Sequence, residues 1–199
     1  MQFPLLAFLL FGFVASITPG PNNVMIAAVG ASHGLRAALP MISGIVIGFG
    51  VLVVLVGLGL SVPLAAYPWL HTLLRGIGAA WLLLLAWKIA TAPAPGQGER
   101  RAPMGLVGGA MFQWINPKAW VLALSVATTW TVAGAPLVPQ ILTMSALLVI
   151  VGIPSSLAWA LLGASASRAL AVPARLRTFN LVMAGLLVLS MVPVLLQLE

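Results

Sequence analysis

Thr18-Pro19-Gly20-Pro21-Asn22-Asn23 and Gln113-Trp114-Ile115-Asn116-Pro117-Lys118 are the two stretches whose residue types can do chemistry. Each stands inside a long apolar run, where hydroxyl, amide and ammonium groups are out of place. Proline lacks an amide proton, so Pro19, Pro21 and Pro117 leave the carbonyls of Ala15, Ile17 and Gln113 without their helical donors, and Gly20 lets the chain turn. An unpaired carbonyl in hydrocarbon costs several kcal/mol, so broken backbone is tolerated there only where protein buries it or it lines a polar cavity. Both stretches are therefore expected to border a bound ligand.

The residue types suggest which ligand. The half-helices that begin after Pro21 and after Pro117 are expected to present unpaired amides at the positive ends of their dipoles. Lys118 adds a full positive charge, and together these describe a site for a carboxylate. The freed carbonyls of Ala15, Ile17 and Gln113, with the side chains of Thr18, Asn22, Asn23, Gln113 and Asn116, can accept from an ammonium group. A zwitterion such as an amino acid fits both ends. The competing reading of Lys118 is structural, as a side chain that snorkels or pairs with a freed carbonyl; charges deep in a span are more often functional.

The elements that position these residues follow from composition. Of 199 residues, 62% are hydrophobic and 6% charged, and Glu99 and Glu199 are the whole acidic complement. So few charges cannot cover a soluble domain, so the bilayer is the expected solvent. The net charge of +7 does not point to nucleic acid, because the basic residues sit at the ends of apolar runs rather than with aromatics on one face. No cysteine is present, which removes disulfides, thiolate metal sites and paired-cysteine redox chemistry. The N-terminus has no basic region before its apolar stretch, so residues 3–29 are expected to stay as a span rather than leave as a signal peptide.

At about 20 apolar residues per crossing, six spans are expected: 3–29, 39–60, 69–91, 104–131, 137–163 and a last one ending near Leu198. The first and fourth are broken at their proline motifs. Gly44 and Gly48 give the second a close-packing face, with Pro40 in its first turn. In the fifth, Pro154 frees the carbonyl of Ile150, and Ser155 and Ser156 either satisfy that backbone at a kink or line a cavity. Arg75 and Lys88 are read as snorkelling near the ends of the third, with Tyr67, Trp69 and Trp87 in aromatic belts.

Ile17-Thr18-Pro19 and Ile115-Asn116-Pro117 superpose at an offset of about half the chain, which divides it into a first three-helix repeat, 1–91, a polar linker, 92–103, and a second repeat, 104–199. Lys and Arg collect in the loops after spans one, three and five and avoid those after two and four. Positive residues accumulate on the cytoplasmic side, so both termini are expected outside and the halves form an inverted repeat. The fold class is thus all-α integral membrane, with six transmembrane helices.

Thr18-Pro19-Gly20-Pro21-Asn22 after Phe13-Val14, together with Asn116-Pro117-Lys118-Ala119 after Gln113-Trp114, resembles the lysine-exporter (LysE/RhtB) family of bacterial amino-acid exporters over nearly the whole chain. The resemblance implies export of an amino acid or derivative across the inner membrane, driven by the proton motive force. It assigns the family's signature positions to Pro19, Gly20, Pro21, Asn116, Pro117 and Lys118. One departure is informative: many members have an acid after a Gly-x-x-x-Gly stretch in span two, where Phe49 follows Gly44-Ile45-Val46-Ile47-Gly48 here.

With no carboxylate in any span, a dibasic cargo would set a second positive charge beside Lys118 at a cost of a few kcal/mol. Neutral amino acids are expected instead. Proton coupling falls to Lys118, with His33 and His71 at span ends as the other titratable groups. A metal-cation cargo is disfavoured by the same absence of acids. An intramembrane enzyme would need a nucleophile with a base, paired carboxylates or a metal cluster, none of which is present, so no catalytic residue and no cofactor are expected. A passive channel or structural membrane subunit is the rival reading. Expected partners are the amino-acid substrate, protons, membrane lipid and a second copy of the chain in a homodimer, with no nucleic acid.

Overall fold

The structure is a computed structural model that describes residues 3–60, 68–91, 102–166, 170, 172–190 and 192. Eight α-helices follow one another among them: α1 Leu5–Ile17, α2 Pro21–His33, α3 Leu35–Leu55, α4 Pro68–Ala90, α5 Leu106–Ile115, α6 Pro117–Ser125, α7 Leu137–Ala166 and α8 Pro173–Leu189. Short π-helical turns, Val56–Leu60 and Val126–Trp130, extend α3 and α6. No strand occurs among the described residues.

Helices break where the prolines require it. Thr18 ends α1 in an extended conformation, and α2 restarts with Pro21 in its first turn, so that the pair is bent by 54°. Asn116 is likewise extended between α5 and α6, with Pro117 opening the new helix. Gly34, at φ 81°, turns α2 into α3; that left-handed backbone is strained for any residue with a Cβ. Leu35–Leu60 and Leu137–Ala166 are each long and apolar enough to cross a membrane, and the bent α1–α2 pair is a third if it counts as one span. Gly76–Ala90 and Leu106–Ile115 are shorter apolar helices.

Polarity is distributed as a bilayer demands. Leu6, Leu10 and Phe13 of α1, Leu73, Leu84 and Trp87 of α4, and Leu181 and Leu189 of α8 face outward, whereas Asn23, Gln113, Asn116, Ser145, Ser155, Ser156 and Asn180 are buried. Water would oppose this arrangement and lipid accepts it.

Two apolar clusters make the core. One joins Val24 and Ile26 of α2, Met41 and Ile45 of α3, Leu82 of α4, Phe112 of α5, Ala160 of α7 and Leu187 of α8. The other joins Phe8 of α1, Leu52 and Val53 of α3, Ala119 and Ala123 of α6, and Met144 and Leu148 of α7. The two helix breaks lie between them.

Two glycine-lined crossings bring helices into backbone contact. A Cβ added at Gly44 would strike the Leu106 carbonyl, and one at Gly109 would stand 2.5 Å from the Met41 carbonyl, so α3 and α5 touch backbone to backbone. Cβ atoms at Gly30 and Gly163 would strike the carbonyls of Ala160 and Ala27, which does the same for α2 and α7. The Gly44 face expected from sequence is thus a packing surface. Gly30 lies in the last turn of α2 and Gly163 in the last turn of α7, whereas Gly44 is midway along α3.

Several expectations are corrected. Pro40 does not open its helix; α3 begins at Leu35 and runs through it, because the carbonyl Pro40 leaves free is that of Arg36, in the exposed first turn. Pro154 lies inside α7, and of the two roles expected of its serines the backbone repair is not made: the Ser155 hydroxyl is buried without a partner. Arg175 and Arg177, expected in a loop, belong to the first turns of α8. Trp69 and Trp87 are exposed as a lipid-facing belt requires, and Lys88 lies 6.0 Å from the Trp81 ring. The linker 92–101, Tyr67, Arg168, the side chains of His71 and Arg75, and the end of the last span lie outside the described residues.

Candidate functional site

The break in α1–α2 and the break in α5–α6 face each other across a cavity of about 60 Å³. Ala15, Ser16, Gly20, Pro21, Asn22 and Asn23 come to its wall from the first break, and Asn116, Lys118, Ala119 and Leu122 from the second. Ile45, Val46 and Phe49 of α3 and Leu148, Gly152 and Ser156 of α7 complete it. Phe49, which follows the Gly44–Gly48 stretch, is therefore an apolar part of the wall.

The breaks are tied together by amides. Asn22 Nδ2 donates to Gln113 Oε1 at 3.0 Å, while Asn22 Oδ1 accepts from Gln113 Nε2 at 3.2 Å and from Asn116 Nδ2 at 3.1 Å. Gln113 is fully buried and gives a second bond to the Gly109 carbonyl. It therefore sits behind the wall and aims Asn22, rather than facing the cavity. Lys118 crosses the other way: its Nζ donates to the Thr18 carbonyl at 2.9 Å and reaches the Pro19 carbonyl at 3.5 Å. Gly20 makes room for this, since a Cβ there would lie 3.0 Å from Lys118 Cδ and 3.1 Å from Nζ. An ammonium has three donors, so Lys118 keeps capacity for a ligand.

Some of the expected groups are already engaged. The Ile17 carbonyl accepts from Trp159 Nε1 at 3.0 Å, and the Gln113 carbonyl from the Asn116 amide at 3.3 Å. Thr18 gives its hydroxyl to the Val14 carbonyl. The α6 terminus does not offer free amides as expected: Asn116 Oδ1 caps the Lys118 amide at 3.1 Å, and the Asn116 carbonyl takes those of Ala119 and Trp120. The start of α2 differs, because its N-cap is Gly20 and no side chain caps it. Of the residues singled out from sequence, Gly20, Pro21, Asn22, Asn23, Asn116 and Lys118 reach the wall; Thr18, Pro19, Gln113 and Pro117 do not. Of the titratable groups named with Lys118, His33 lies at the end of α2, bonded to Ser32 at 2.8 Å. No cluster of metal-ligating side chains occurs among the described residues.

The model of the LysE type translocator family matches residues 13–197. The chain belongs to this family. It is 32% identical over 183 residues to a cysteine/O-acetylserine efflux protein of Salmonella typhimurium, covering 92% of each chain. With a protein of the same description from Escherichia coli strain K12 it shares 31% over 158 residues, 79% of this chain and 80% of the relative. No solved structure matches it. Membership makes this all-helical chain a bacterial membrane protein of an amino-acid efflux family.

Two tryptophans that sequence reading missed hold the breaks open. Trp159 caps the carbonyl that Pro21 frees, and Trp120 Nε1 donates to the Trp114 carbonyl at 2.9 Å, which Lys118 would otherwise take. Trp120 follows Pro117 closely enough to have been suspected; Trp159 is remote in sequence and gave no local signal. Trp159→Phe keeps most of the packing but orphans the Ile17 carbonyl. It should cost about 1–3 kcal/mol, read as a lower melting temperature in detergent, while Trp87→Phe on the lipid face leaves it unchanged. Equal melting of the two variants would refute the capping role.

Proposed function

We propose that this chain is a secondary active exporter of a small neutral amino acid or derivative, driven by the proton motive force across the bacterial inner membrane. The observation that carries the reading is the cavity joining both helix breaks, with Lys118 as the titratable side chain in its wall. The substrate carboxylate meets Lys118 and the uncapped start of α2, and Lys118 exchanges the coupled proton. Family membership supports export, and the relatives' named cargo, cysteine and O-acetylserine, are small amino acids with uncharged side chains. Phe49 in the wall supports a neutral cargo, because a second cation would find no counter-charge. At about 10–15 Å³ per water-sized group, the cavity volume suits a few heavy atoms rather than a long side chain.

The architecture proposed with it is six crossings in two inverted three-helix repeats, 1–91 and 104–199, both termini outside and two copies forming a homodimer. On this assignment both glycine crossings fall in the cytoplasmic half of the bundle, the Gly30–Gly163 one nearest Arg36. The rival, a passive channel or structural subunit, predicts neither saturation nor movement against a gradient.

Everted vesicles loaded with the protein and offered a panel of radiolabelled amino acids test the reading. Neutral members should accumulate against their gradient and be released by a protonophore. Flux that does not saturate and ignores the protonophore makes the protein a channel, and a panel in which nothing moves points to a non-amino-acid cargo.

A further inference from the structure

Lys118 gives the cavity a positive pole, but an amino acid also carries an ammonium group that must find acceptors. Apart from the Ala15 carbonyl, which lies on the wall, the obvious ones are occupied. Trp159 holds the Ile17 carbonyl, and Lys118 itself holds those of Thr18 and Pro19. Asn22 Oδ1 already accepts from Gln113 and Asn116, and Asn116 Oδ1 from the Lys118 amide.

Acceptors on the wall remain open, among them the side chains of Asn23 and Ser156. Asn23, 5% exposed, uses both hydrogens of Nδ2, on the Ser16 carbonyl at 2.7 Å and the Thr18 carbonyl at 2.9 Å, which leaves Oδ1 free of the described residues. Ser156, 6% exposed and on the wall of the same cavity, has a hydroxyl bonded to none of the described residues. Its oxygen is not sealed off as that of Ser155 is, so it stays reachable from the cavity and free to accept from a ligand. α2, which carries Asn23, and α7, which carries Ser156, are also the helices locked together at Gly30 and Gly163, so the two acceptors are held on one rigid pair.

We propose that Ser156 Oγ and Asn23 Oδ1 receive the ammonium group of the substrate, with its carboxylate toward Lys118. The inference rests on the export reading above and adds the second pole of its site. It makes Ser156 a specificity-determining residue: it selects acids that carry an α-ammonium over those that do not. Phe49, Ile45, Val46 and Leu148 are left to surround a small side chain.

The test uses purified protein in proteoliposomes with radiolabelled serine and alanine, and with glycerate and lactate, in which a hydroxyl replaces the ammonium. Ser156→Ala should raise the half-saturation concentration for serine and alanine on the order of tenfold, as expected for a lost hydrogen bond to a charged group. It should leave glycerate and lactate unchanged, and leave maximal rates and melting temperature near wild type. Ser156→Thr, which keeps the hydroxyl, should restore the amino acids. Equal shifts for acids with and without the ammonium, or no shift, overturn the inference while the export reading stands. Wild-type protein that moves none of the four overturns both.

Discussion

Lys118→Ala is expected to lower amino-acid transport by about 100-fold or more while the protein still inserts and folds. The Nζ bonds to Thr18 and Pro19 are part of what holds the breaks in register, but Asn23 also donates to the Thr18 carbonyl, and the Asn22–Gln113–Asn116 amides tie the same elements independently. The fold therefore has other supports, whereas the substrate carboxylate loses its full counter-charge. A charge-assisted bond is worth about 1.5–3 kcal/mol and each 1.4 kcal/mol is tenfold, so binding alone accounts for most of the loss. Lys118→Arg separates the two roles assigned to this side chain. Arginine keeps the charge but does not give up a proton in proteins, so exchange of substrate across the membrane should persist while protonophore-sensitive accumulation disappears. Accumulation by the Arg variant would remove the proton from Lys118, and wild-type behaviour of the Ala variant would remove the site.

Gly163→Ala and Gly44→Ala are expected to have the largest effects on stability, about 1–3 kcal/mol each, with the double variant the least stable. The added Cβ meets backbone, the Ala27 carbonyl and the Leu106 carbonyl respectively, and backbone cannot rotate out of the way as a side chain can. Gly76→Ala and Gly185→Ala, where a Cβ meets nothing within 4 Å, are the controls and should be neutral or slightly stabilising through helix propensity. Melting in detergent reads the difference. The chain has no cysteine, so Leu122→Cys in the cavity wall gives a clean accessibility probe. On the orientation proposed, loosening either crossing should raise labelling of Leu122→Cys from the cytoplasmic side. Unchanged melting in both glycine variants would show that the crossings are not tight.

How much of this was legible in the residues differs from element to element. The breaks at Pro19–Pro21 and Pro117 were readable, because a missing amide proton acts on its own helix whatever packs around it. So were the apolar runs, and the Gly44–Gly48 face, since small residues at a helical spacing permit close approach in any fold. The sequence also identified Asn22, Asn116 and Lys118 by being polar where lipid forbids it.

Which of those polar groups faces a ligand was decided by tertiary contacts alone. Gln113 looked like a ligand-binding residue and proved to be a buried strut, because Asn22 arrives opposite it from the other half of the chain. The Ile17 carbonyl looked open and is filled by Trp159, from a helix far along the sequence. The α6 amides looked available, yet Asn116 turned its own side chain onto them. For Ser156 the residues left two roles open, repair of a proline kink or lining a cavity, and it lies on the cavity wall with its hydroxyl unused. A residue's type and local spacing fix what bonds it is able to make; only the three-dimensional arrangement of its neighbours fixes which of those bonds are already made, and so which remain for a substrate.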